Sequence, residues 1–222
     1  MTSSDETVLN RRTLLIALAA VVGACATQEQ VWQPMPAAPP AAPPDARYGA
    51  LRDHGQEIPA IDPEEIEPAL LRSTLRYEKR HKPGSIVIEI SERRLYLVEP
   101  NQQAVRYAVG VARERALNFR GSAVIGRKEE WPSWTPTASM IARIPRYREY
   151  EHGMPGGTNN PLGARALYLY RDGRDSEFRI HGTNEPQSIG TEVSSGCIRM
   201  LNHDVIHLYD RVSVGTPVIV NA

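Results

Sequence analysis

From about Gly84 to the C-terminus, apolar and polar positions alternate with the period of two that a half-buried strand requires. Ile86, Ile88 and Ile90 alternate with Val87, Glu89 and Ser91, a turn follows at Glu92-Arg93-Arg94, and Leu95-Tyr96-Leu97-Val98 resumes the run, which is a hairpin pattern. Val105, Tyr107, Val109 and Val111 then line one face of a further strand. Leu167 to Tyr170, Glu177 to His181 and Pro217 to Val220 read as more strands, separated by Gly/Asn/Pro clusters such as the stretch 153–163. Only Asn202 to Arg211 has helical spacing. There Asn202 is the expected N-cap, and Val205, Ile206, Leu208, Tyr209 and Val212 form a mostly apolar face. The pattern predicts a mainly β domain over 84–222, large enough to bury its own core.

The first 83 residues look different. Arg11-Arg12 precedes an apolar run, Thr13 to Ala24, that is shorter than the ~20 residues needed to span a bilayer, so it reads as a signal peptide over 1–26. The stretch Asn10 to Leu15 resembles a twin-arginine export signal, and a plain secretion signal competes with it. Val22-Gly23-Ala24-Cys25 resembles a lipoprotein cleavage box, in which Cys25 would be lipidated, and simple cleavage at Ala24-Cys25-Ala26 is the alternative. Six prolines between residues 34 and 44 favour an extended spacer, so 27–83 is expected to be a Pro/Ala-rich tether and an N-terminal extension. Within it Asp62-Pro63 has the form of a helix start, and Leu70 to Tyr77 is expected to form a short element lying against the domain. Twenty-six Lys+Arg balance twenty-six Asp+Glu, which argues against a nucleic-acid partner. The membrane enters only through a lipid on Cys25.

The chain has two cysteines, Cys25 and Cys197. If the leader is removed, Cys197 is a lone thiol in an exported protein, set in the polar turn Ser194-Ser195-Gly196-Cys197-Ile198-Arg199-Met200 rather than in an apolar run, which points to reactivity. A reactive thiol needs a base or cation nearby, and an acyl intermediate needs backbone donors for its oxyanion, which the turn at Gly196 can supply. His181 closes a predicted strand and is followed by Gly182-Thr183-Asn184, a position suited to a general base.

Together, His181 to Gly190 and Ser194 to Met200, with the two reactive residues sixteen positions apart, resemble the signature of the L,D-transpeptidases, the YkuD-type catalytic domain of the ErfK/YbiS kind. Ala123 to Thr137 and Asn160 to Leu169 extend the resemblance over roughly 84–220. It implies a β-sandwich or barrel-like fold with one or two short helices and a cysteine acyl-enzyme mechanism that calls for no cofactor. It also implies peptidoglycan stem peptides as partners, in the periplasm or cell envelope. Cys197 would be the nucleophile, His181 the base, and the N–H groups of Gly196 and Cys197 the oxyanion site. The acyl group would pass to a neighbouring stem, giving a 3→3 crosslink, or to an outer-membrane protein, or to water in a carboxypeptidase. Many members carry His where this chain has Ser195. Arg199 would steer a stem carboxylate or serve as an ion-pair partner, and Ser195, Asn184 and Gly182 would shape the substrate side. Two rival readings remain at this stage. One is a metal held by His203 and His207 at i, i+4 with Asp204 nearby. The other is a wall-binding module without catalysis. Trp131 and Trp134 read either as a ligand strip or as a loop capping the core.

Overall fold

In a computed structural model, the structure describes residues 46–62, 66–114, 117–194 and 196–222. The export signal, Cys25, the proline tether, the helix start at Pro63 and Ser195 lie outside the described residues.

The expected hairpin forms. Strands β4 (Ile86–Glu89) and β5 (Arg94–Glu99) pair antiparallel with Ile86 opposite Leu97. Alternation alone predicted one wet face for β4, yet all four of its residues are buried. The reason is its place in the sheet. It lies between β5 and the C-terminal strand β13 (Pro217–Asn221), so Ile86 and Ile88 face the main core while Val87 packs with Tyr77, Val98 and Ala104 on the other side. Glu89 is tolerated there because Lys79 Nζ (2.6 Å) and Asn221 Nδ2 (3.0 Å) donate to its carboxylate.

Nine strands form one mixed sheet. The remaining members are β3 (Ser73–Arg76), β6 (Gln103–Ala108), β8 (Gly121–Glu130), β9 (Arg165–Arg171), β10 (Arg174–His181) and β12 (Ile198–Arg199). Their spatial order is β12-β10-β9-β8-β13-β4-β5-β6-β3. The pairs β10/β12 and β13/β4 are parallel and the other pairs antiparallel. The element expected over 70–77 resolves into a 3-10 turn, Pro68–Leu70, followed by β3, which adds to the free edge of β6. Residues upstream of 83 thus complete the sheet. Farther upstream, β1 (Leu51–Asp53) and β2 (Gln56–Ile58) form a hairpin whose turn residues, His54 and Gly55, both have positive φ, the geometry that matches strand twist. Outside the main sheet, β7 (Val111–Ala112) and β11 (Glu192–Ser194) run parallel.

The main core gathers Val105, Tyr107, Val109 and Val111, as their alternation predicts, with Leu167, Leu169, Ile180, Ile198, Val205 and Leu208. The helix expected at 202–211 is α2 (Asn202–Tyr209), and Asn202 does not cap it. Leu201 occupies the cap position without a side-chain bond, while the Asn202 amide turns away to serve two loops described below. Between β8 and β9 runs a long loop, 131–164, carrying α1 (Ala138–Arg143), which Thr137 caps by accepting from the Met140 N–H at 3.2 Å. Neither α1 nor the 3-10 turn Pro145–Tyr150 that follows it contains a buried residue.

Candidate active site

The parallel pair β10/β12 does what the fifteen residues between His181 and Cys197 conceal. It sets Ile180 beside Ile198 and His181 beside Arg199. Successive residues of a strand face opposite sides, so Ile180 and Ile198 enter the core while Arg179, His181 and Arg199 share the other face. Cys197 stands one residue before β12, and the backbone N–H of Arg179 donates to its thiol. Tyr168 lies opposite Arg179 on β9, and the guanidinium groups of Arg127 and Arg179 lie 3.6 and 4.7 Å from its ring centroid.

The nucleophile turn depends on one glycine. Gly196 has φ +139°, and a Cβ there would lie 3.1 Å from the Leu117 carbonyl oxygen and 3.3 Å from the Phe178 ring. An L side chain at that position would be strained and crowded at once. The Gly196 N–H donates to Ser194 Oγ at 3.3 Å.

His181 is buried, and its Nδ1–H donates to the Gly182 carbonyl at 2.6 Å. A carbonyl can only accept, so this bond places the proton on Nδ1 and leaves Nε2 to take another. Burial, reinforced by the charge of Arg199, pulls the imidazole down to about 3, so it is neutral at physiological pH. Burial also pushes the Cys197 thiol up, against the opposing N–H and charge of Arg179 and the charge of Arg199. The cations expected beside the thiol are present, yet desolvation outweighs them. The resting pair is therefore a neutral thiol and a neutral imidazole.

The histidine loop is fastened from behind. Gly182 N–H donates to the Arg165 carbonyl at 3.0 Å. Asn202 Oδ1 accepts from Ala164 N–H and Thr183 N–H, and its Nδ2 donates to Thr183 O at 2.9 Å. Gly163, with φ +62°, passes so near that a Cβ would sit 2.4 Å from Thr183 N. Asn184 Nδ2 donates to Asn159 O at 3.1 Å, joining the histidine loop to the 131–164 loop. Arg199 binds Glu185 Oε2 at 2.8 Å through its side chain, so the ion-pair reading of that residue is realised within the site itself. Sequence reasoning missed Arg179, although it stands two positions before His181 on a period-two strand. It also missed Glu185, Arg165 and Asn202, whose partners are distant in the chain.

The histidines of α2 do not converge. His203 Nε2 donates to Gly49 O at 2.9 Å, and His207 Nδ1 meets the Tyr107 hydroxyl at 2.7 Å. Asp204, between them in sequence, is fully buried against Tyr48 and Arg72. His203 is buried under the packed extension. Trp131 Nε1 donates to Asp53 Oδ2 at 2.7 Å, while Trp134 packs edge-on against Tyr147 at 5.1 Å within the loop.

A parallel strand pair thus brings the cysteine turn to the same sheet edge as a buried histidine whose Nδ1–H is held by a backbone carbonyl. The model of the family described as YkuD, L,D-transpeptidase catalytic domain, matches residues 83–220, and the chain belongs to that family. It is 37% identical over 138 residues to the probable L,D-transpeptidase ErfK/SrfK of Escherichia coli K12, covering 60% of this chain and 42% of that one. The Salmonella typhimurium protein of the same description is 36% identical over 182 residues, covering 78% of this chain and 56% of its own. The chain thus spans about half the length of the curated relatives it matches. A solved Brucella melitensis structure, described as a probable carnitine operon oxidoreductase, is 46% identical. It covers 70% of this chain and 96% of its own at a TM-score of 0.48.

Proposed function

We propose that this chain is a peptidoglycan L,D-transpeptidase working through a Cys197 thioester. The observation that carries the reading is the fixed His181 tautomer beside the cysteine turn: Nδ1 is spent on Gly182, and Nε2 is the basic atom. In the first half-reaction Cys197 Sγ attacks the carbonyl of the third stem residue as His181 Nε2 takes the thiol proton. The peptide bond to the terminal D-alanine breaks, and His181 returns that proton to the leaving amine. In the second half-reaction an amine attacks the thioester carbonyl and gives its proton to His181, which restores the thiol. The backbone N–H of Cys197 stabilises the oxyanion together with that of Gly196, which exchanges its long bond to Ser194 Oγ for the developing charge.

Because the thiol starts protonated in a desolvated corner, proton transfer accompanies attack rather than preceding it. Arg199 and Arg179 lie where a stem carboxylate can be steered, and the acceptor is a second stem or a protein to be tethered to the wall. The N-terminal segment directs the chain to the cell envelope, with Cys25 as the site of a lipid anchor.

The test is mass spectrometry of the full chain incubated with a purified disaccharide-tetrapeptide, beside Cys197→Ala. The expected result is a transient adduct, free D-alanine and dimeric muropeptide, all absent from the variant. Tripeptide without dimer would assign a carboxypeptidase, and an untouched tetrapeptide under reducing conditions would overturn the catalytic reading.

A further inference from the structure

The matched family region begins at residue 83, yet a hairpin thirty residues upstream reaches the site. Asp53, on β1, takes both ends of the 131–164 loop in one carboxylate. Arg165 Nη1 and Nη2 donate to Oδ2 and Oδ1 at 2.7 and 2.9 Å, and Trp131 Nε1 donates to Oδ2 at 2.7 Å. The neighbouring turn residue, His54, adds a contact from Nε2 to Glu130 Oε2 at 2.8 Å. Trp131 itself has φ +43°, a backbone state that a bulky residue adopts only when its surroundings over-determine it. Those surroundings are the Asp53 bond and a backbone bond from Trp131 N–H to Ala164 O at 2.8 Å.

The same carboxylate stands at the head of a line that ends on the base. Asp53 fixes the Arg165 side chain, the Arg165 carbonyl accepts the Gly182 N–H at 3.0 Å, and the Gly182 carbonyl accepts His181 Nδ1–H at 2.6 Å. Arg165 is 3% exposed, and among the described residues its Nε has no hydrogen-bond partner; Asp53 is the carboxylate bonded to its guanidinium, with the charges of Glu130 and Asp210 adding to it. The hydrogen bonds from Arg165 hold the Asp53 carboxyl below the usual carboxylate range, which keeps it ionised through neutral and mildly acidic pH.

We propose that Asp53 is a positioning residue of the active site. It orients His181 through Arg165 and Gly182 and pins the root of the 131–164 loop through Trp131. The inference rests on the thiol-transfer reading for its consequence in turnover, but its geometry can be tested without substrate. One branch acts on the base and the chemical step, the other on the loop and substrate binding.

The test uses the full chain with three variants, Asp53→Asn, Asp53→Glu and Trp131→Phe, and Arg52→Ala as a control that removes only the exposed Arg52–Glu57 pair of the same hairpin. Two readouts need no substrate: the His181 Nδ1 proton signal in nitrogen-15 labelled protein, assigned by its loss in His181→Gln, and the pH profile of Cys197 alkylation by iodoacetamide. Asp53→Asn is expected to broaden the His181 signal and lower the alkylation rate by about tenfold, the scale of a sub-ångström displacement of a reacting group. Asp53→Glu should restore part of both. Trp131→Phe should leave the His181 signal in place and raise KM for the stem peptide with little change in kcat. Asp53→Asn that folds with an unchanged His181 signal and alkylation profile overturns the proposal. If Asp53→Asn does not fold, an Asp53→Glu protein indistinguishable from the parent in both readouts, together with a Trp131→Phe protein of unchanged KM, overturns it equally. A response in the proton signal and the alkylation rate without any stem-peptide turnover would sink the transpeptidase reading and leave the positioning role standing.

Discussion

Two buried polar corners of this domain use histidine in opposite ways. At the end of β10, His181 spends one ring nitrogen on a backbone carbonyl and keeps the other for a proton, next to a thiol held on a glycine turn. On α2, His203 and His207 are each tied to a partner from elsewhere in the chain. Asp204 between them accepts from the Tyr48 hydroxyl at 2.8 Å and from Arg72 Nη1 at 3.0 Å. The first corner adjoins the cysteine turn, and the second gathers side chains from the packed extension, with His203 Nδ1 and Asp204 Oδ2 buried and without a hydrogen-bond partner among the described residues. Burial lowers both kinds of imidazole, so a shifted titration alone does not separate a reacting histidine from a structural one. What separates them is their place in the fold: His181 ends a strand paired with the one that follows the cysteine turn, while His203 and His207 lie on α2 against the packed extension and β6.

The comparison breaks most visibly by deletion. Cys197→Ala should abolish acyl-enzyme formation, and His181→Gln should lower turnover by about 10²–10⁴-fold with the fold intact. Both effects are read from D-alanine release beside a circular dichroism melt. The mirror experiment on α2 is Arg72→Ala, which leaves Asp204, 0% exposed, without its cation. It should cost about 3–5 kcal/mol of stability in urea unfolding while the folded fraction turns over at the parental rate. If Arg72→Ala instead lowers kcat in fully folded protein, the two corners are coupled and the division fails.

Smaller effects sharpen the same line. Gly196→Ala should cost about 1–3 kcal/mol through its strained φ, with Cys197 alkylation slowed as the turn shifts. Acidification should destabilise the domain from pH 6.5 downward. His203 and His207, lowered in the folded state by burial and faced by Arg72, contribute stability that is present above their unfolded value and lost as pH falls, for His207 down to about 4. Asp204 works the other way. Burial raises it to about 6, so it binds protons in the folded state before the unfolded carboxyl does and favours the fold as pH drops from 6 toward 3.8. Asp204→Asn should therefore steepen the fall in Tm between pH 6.5 and 5. Last, the Cys197 alkylation rate should climb through the alkaline range, past the ordinary thiol value, with no acidic plateau, as a raised thiol requires. Removing the cation in Arg199→Gln should move that profile slightly further up. A plateau near pH 5 would mean a thiolate–imidazolium pair instead.

Much of the fold and the two candidate residues, Cys197 and His181, were legible in the sequence because both are written locally. The period-two run from Ile86 to Val98 needs only neighbouring residues to specify a hairpin, and the Gly196-Cys197 turn and the strand-end His181 each announce their chemistry within a few positions. The misreadings share one cause. Asn202 looked like a cap because a cap is a local device, but two loops that fold against it claimed its amide. The i, i+4 spacing of His203 and His207 offered a metal pair for the same reason, but Gly49 O and the Tyr107 hydroxyl each hold one ring nitrogen.

The sequence by itself determined the β class and marked Cys197 and His181 as the candidate nucleophile and base. The tertiary structure alone decided three further things. Desolvation, a property of packed volume, leaves Cys197 a raised thiol despite two nearby arginines. The parallel pairing of β10 with β12 sets Cys197 and His181 at one edge. A carboxylate at residue 53 finds its guanidinium at residue 165 and stands behind the His181 imidazole. Hydrogen bonds between residues so far apart leave no periodicity or spacing in the chain, because the strands that bring them together are fixed by the apolar pattern and not by the polar partners they deliver.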